Sequence, residues 1–85
     1  MTESEFDLLD EIYLMRSYDQ LAGSLEWDDG KILATLESLF QKGWIRCYIS
    51  PTEEVLQEEI DLRESYRKFL YLASKEGLKA HNSNE

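Results

Sequence analysis

The chain holds one cysteine, Cys47, and one histidine, His81, among 18 Asp and Glu side chains. Each type can do chemistry. A thiolate attacks electrophiles, an imidazole moves protons, and carboxylates with either can ligate a metal. What the sequence lacks is the spacing. Cys47 alternates with Arg46 and Tyr48 and shares a side with Ile45 and Ile49, which predicts a buried structural thiol rather than a nucleophile. His81 stands beside the terminal "NSNE", with no second histidine to complete a ligand set. No Asp-rich calcium loop appears among the acids. Gly23, Gly30, Gly43 and Gly77 are isolated, so no loop cradles a phosphate. The expectation is a protein that is not an enzyme, with no catalytic residue, no metal and no cofactor.

Recognition chemistry is the remaining option, and charge constrains it. Formal net charge is −9 in 85 residues. The excess is concentrated at 1–65, while 66–85 is mildly basic. An acidic surface repels phosphate backbones and anionic lipid heads and favours a basic partner. The lone cysteine excludes an intrachain disulfide and suits a reducing cytoplasm. The opening "MTESEFDLLDE" lacks the basic and apolar regions of a signal peptide, and the longest apolar run, 69–73, is too short to span a bilayer. A cytoplasmic protein with no membrane partner is expected.

Several elements must position these groups in what should be one domain, 1–85, with a frayed tail at 81–85. Thr2-Glu3-Ser4-Glu5 and Ser17-Tyr18-Asp19-Gln20 each read as a capping box. They predict helices at 4–15 and 18–25. Asp28 is suited to cap a third helix at 29–42, with Ile32, Leu36 and Leu39 on its buried side and Gly43 at its left-handed end. The period then drops to two, predicting a strand over 45–50 and an antiparallel partner over 66–72. Ser50-Pro51-Thr52-Glu53 is a third capping box, so 51–65 reads either as a short helix or as a mobile acidic loop. Ser74 can cap a last helix at 75–81.

Two stretches, "ILATLESLFQKGWI" and "FLYLASKEGLKAH", carry a family likeness. The first is similar to the end of a recognition helix with the pattern Leu-x-x-Leu-x-x-x-Gly-hydrophobic-Ile. The second is similar to a Tyr-x-Leu-Thr-x-x-Gly-x-x-Ala ending, with Tyr71 slightly displaced and Ala73 in the Thr place. Over 4–80 the chain resembles the small winged helix-turn-helix regulators of the MarR and PadR kind. That resemblance implies an α+β fold with three helices, a two-stranded wing hairpin and a short C-terminal helix. It also implies duplex DNA read by helix 3 and the wing, commonly by a dimer.

The residues argue against the implied partner. The outward side of helix 3 shows Gly30, Ala34, Glu37 and Gln41, of which only Gln41 can read a base edge. Asp28 and Asp29 stand where such helices approach phosphates. The wing region, 53–64, is acidic apart from Arg63, the wrong sign for counterion release. For DNA, Lys31, Thr35, Ser38, Lys42 and Arg46 would have to contact phosphates. The preferred expectation is a regulatory or protein-interaction module, working on a protein partner or as a homodimer. Glu53, Glu54, Glu58 and Glu59 would be its electrostatic part, and Trp27 and Tyr48 its aromatic anchors. A DNA-binding transcriptional regulator is the alternative, and a mimic of DNA charge shares the same acidic basis.

Overall fold

The computed structural model describes residues 1–56 and 59–83. Among them the chain is α+β: five helices and a four-stranded antiparallel sheet. In order these are α1 (Glu3–Glu11), β1 (Arg16–Ser17), α2 (Tyr18–Leu25), α3 (Asp29–Gln41), β2 (Ile45–Ser50), β3 (Glu53–Val55), α4 (Leu62–Ser65), a 3-10 turn (Tyr66–Lys68), β4 (Leu70–Ala73) and α5 (Lys75–Ser83).

Local chemistry explains most of the boundaries. Thr2 Oγ1 accepts from Glu5 N while Thr2 N donates to Glu5 Oε1, closing the first box. Ser17 and Gln20 do the same for α2. Asp28 Oδ1 accepts from Lys31 N at the head of α3. At its foot Gly43 N donates to Phe40 O and Trp44 N to Leu39 O, with Gly43 at φ 75°. That is the paired closure that glycine permits at a helix end.

Helix α1 stops four residues before the predicted end. Its periodicity continues through Tyr13 and Met15, but the Ile12 carbonyl is claimed by Ala73 N at 2.9 Å, and Arg16–Ser17 pair with Tyr71 and Leu70. Tyr13 and Leu14 are consequently exposed. The 51–65 stretch divides: a short α-helix does form, but among the described residues only at Leu62–Ser65. Pro51 and Thr52 make a turn rather than a helix start, and Glu53–Val55 return along β2 as β3. The predicted strand at 66–72 begins only at Leu70, because Tyr66–Lys68 coil into the 3-10 turn. Helix α5 continues two residues past 81, and Asn84 and Glu85 lie outside the described residues.

Sheet order is β1-β4-β2-β3. One face carries the core. Ile45 pairs with Ala73 and Cys47 with Tyr71, all four buried, and they meet Leu8, Leu9 and Ile12 of α1, Leu21 of α2 and Ile32, Leu36 and Leu39 of α3. Ser74 fastens the sheet to its surroundings. Its hydroxyl donates to Gly43 O at 2.7 Å and accepts from Gly77 N, while Ser74 N donates to Trp44 O. The α3–β2 junction and the start of α5 thus hang on one side chain.

Candidate interaction surface

Two groups of residues were expected to touch a partner: the cations and amides of α3, and the acids of the hairpin. The fold treats them differently. Thr35 is buried and its hydroxyl donates back to Lys31 O at 2.8 Å, which turns it away from any phosphate. Ser38 donates to Glu5 Oε2, and Lys42 Nζ stands 2.7 Å from the same oxygen. Gln41 is exposed. Lys31 Nζ lies over the Trp27 ring, 4.3 Å from its centroid. Arg46 lies 3.9 Å from Glu54 across the hairpin.

Glu5 organises the end of α3. It is only 2 % exposed, a location that by itself would raise its pKa. Burial is outweighed by the Lys42 ammonium, the Thr2 amide and the Ser38 hydroxyl, which bring the carboxyl down from 4.5 to about 2. A residue that sequence reasoning assigns to a cap is therefore also the counter-ion of α3. No sequence signal joins positions 5 and 42; only the packing of α1 on α3 does.

The outward side of α3 is further occupied from the segment after the hairpin. Leu62 is buried, and Arg63 Nε meets Glu37 Oε2 at 3.0 Å. At the head of α3, Asp29 accepts from both the Tyr18 hydroxyl and the Arg67 guanidinium, and Arg67 lies against the Tyr18 and Tyr66 rings. Arg67 is thus paired with an acid of α3.

Of the acids expected to meet a partner, those among the described residues lie at the surface, on β3 and in the segment after it. Glu53, Glu54 and Glu59 are exposed, and Glu58 lies outside the described residues. Tyr48 stands across from Glu54 in the β2–β3 ladder and is half-buried. Trp27 is half-buried between α2 and α3, where it packs on the core and under Lys31. Tyr48 and the acids of β3 therefore form one surface, and Trp27 contributes to the core edge near α3.

Cys47 is fully buried, and burial, with Glu54 nearby, pushes its thiol up to about 12. His81 was expected at a frayed end. It is held: its ring stacks on Phe6 with centroids 4.1 Å apart, Nδ1 lies 2.6 Å from the Tyr13 hydroxyl, and Nε2 lies 3.5 Å from Asp10 Oδ1. Among the described residues no three His, Cys, Asp or Glu side chains gather as a metal site, and no pocket opens. Comparison with protein-family models, with curated proteins and with solved structures finds no match to this chain.

Proposed function

We propose that this chain is a winged-helix domain used as a non-enzymatic regulatory module that binds protein through its acidic hairpin. The observation that carries this reading is the internal neutralisation of α3. Lys42 is held by Glu5, Arg63 by Glu37 and Arg67 by Asp29, while Glu53 and Glu59 are exposed and Glu54, although it faces Arg46, is exposed too. DNA affinity grows from cations released onto phosphates, and cations already paired with carboxylates contribute little of it. The order helix, short strand, two helices, strand pair and returning strand supports the winged-helix assignment. A cytoplasmic setting, where a lone thiol stays reduced, belongs to the same reading.

The deciding experiment is a low-salt titration of isotope-labelled protein with mixed-sequence duplex DNA, followed by backbone amide shifts. The protein-binding reading expects no saturable shift at Lys31–Lys42 or Arg46. Saturable shifts there, weakening steeply with salt, would replace it with the DNA-binding regulator. Charge reversal at Glu53, Glu54 and Glu59 should then weaken capture of the protein partner and flatten its salt dependence.

A further inference from the structure

Strand alternation places a row of side chains opposite the core. With Ile45, Cys47, Tyr71 and Ala73 facing inward, the intervening pairs Arg46–Leu72 and Tyr48–Leu70 point from the other face of the sheet. β3 adds Glu54 next to Tyr48, and β1 adds Ser17 next to Leu70. Tyr48, Leu70 and Leu72 are half-buried, yet none of them packs against the core cluster. The water-facing side of an antiparallel sheet is ordinarily polar. Here the two central strands present a tyrosine and two leucines beside Arg46.

The charges around this row select its occupant. Glu54 lies on the β3 side opposite Tyr48, with exposed Glu53 next to it in the chain, and the cation on the face, Arg46, already faces Glu54. A second copy of the chain would bring another −9 against the −9 already present. An anionic membrane or a nucleic acid meets the same repulsion. The complementary surface is apolar at its centre and cationic at its rim.

We infer that the outer face of β4, β2 and β3 docks a protein segment whose apolar side chains are flanked by Lys or Arg. Tyr48, Leu70 and Leu72 take the apolar side chains, and Glu53 and Glu54 take the cations. This rests on the protein-binding reading above and assigns it a surface and a partner chemistry.

The probe is a short synthetic peptide alternating Leu and Lys, with a Leu–Glu counterpart as control, titrated into the labelled full chain. The Leu–Lys peptide should shift amides at Arg46, Tyr48, Leu70 and Leu72 and retain measurable binding at high salt. Leu72→Thr and Glu54→Lys, both at solvent-facing positions, should each weaken it about tenfold, a loss of roughly 1.4 kcal/mol. The Leu–Glu peptide should not bind. Shifts confined to α3 and Trp27, or binding that vanishes at high salt and ignores Leu72→Thr, would overturn the docking face and leave the protein-binding reading standing. Absence of binding by the Leu–Lys peptide would also overturn the docking face. Saturable duplex binding at α3 in the same buffer is the separate result by which the underlying reading fails.

Discussion

Lys42, at the C-terminal cap of α3, places its ammonium 2.7 Å from Oε2 of Glu5, in the first turn of α1. The two partners are unequal. Lys42 is 41 % exposed and Glu5 2 %, so the ammonium can return to water when the pair is broken and the carboxylate cannot. Lys42→Met should therefore destabilise the fold by about 1–3 kcal/mol, the scale of losing a hydrogen bond to a buried charged group. Lys42→Arg should restore much of the loss. Urea unfolding monitored by tryptophan fluorescence measures both.

The same carboxyl predicts a pH dependence. Its folded pKa is depressed to about 2 from 4.5, so its contribution is complete above 4.5 and is lost as pH falls toward 2. Other acids titrate in that range as well, so the difference between wild type and Glu5→Gln isolates it. The stability gap between the two proteins should be constant above pH 5 and should narrow between about pH 4.5 and 2. A gap that stays constant to pH 2 would remove Glu5 from this role.

Gly77 and Gly23 both lie in helices, where Gly→Ala ordinarily gains up to about 1 kcal/mol. Their surroundings give opposite expectations. A Cβ at Gly77 would run into the Trp44 carbonyl, a backbone group that already accepts from Ser74 N, whereas nothing lies near a Cβ at Gly23. Gly23→Ala should raise the melting temperature. Gly77→Ala should cost about 2 kcal/mol or more by forcing α5 off the α3–β2 junction.

Cys47 should be silent to iodoacetamide in the native protein and react readily once the chain is unfolded in urea. Burial both blocks the reagent and keeps the sulfur protonated. Mass spectrometry of the alkylated chain reads this directly. Native-state labelling at a rate near that of a free thiol would contradict the packing of β2 on the core.

His81→Ala removes the stack on Phe6 and the contact with Tyr13 together. It should raise hydrogen exchange selectively at the end of α5, with β2 and β4 unchanged. Tyr13→Phe keeps the ring and loses only the hydroxyl contacts to His81 and Asn82, so its effect should be smaller.

What could be read in advance was whatever depends on neighbours in sequence. The capping boxes at Thr2 and Ser17, the Asp28 cap and the Gly43 stop follow from local hydrogen-bonding rules, the span of β2 follows from its alternation, and all occur as expected. The structure departs from the local pattern where distant partners decide. Arg16–Ser17 has too few residues to show a period and is a strand only because β4 lies beside it. Ser50-Pro51-Thr52-Glu53 satisfies a helix-start pattern, but the same residue types make turns, and pairing with β2 selects the turn. The candidate surface divides in the same way. The acidity of the hairpin was evident from composition. The neutralisation of α3 depends on Glu5, Asp29 and Glu37 meeting cations far along the chain, which no spacing rule reports.

The sheet ends at β3, whose three residues include two exposed glutamates. An edge strand offers unpaired amides and carbonyls to any other strand that arrives, and charge on such a strand is a common guard against that. Glu53 and Glu54 put such charge on this edge, which disfavours edge-to-edge joining of copies of the protein. Replacing both with neutral β-forming residues should leave the monomer folded and make its concentrated solutions prone to aggregation. A cationic segment docked as proposed would neutralise these carboxylates, so it would have to cover the same edge as well.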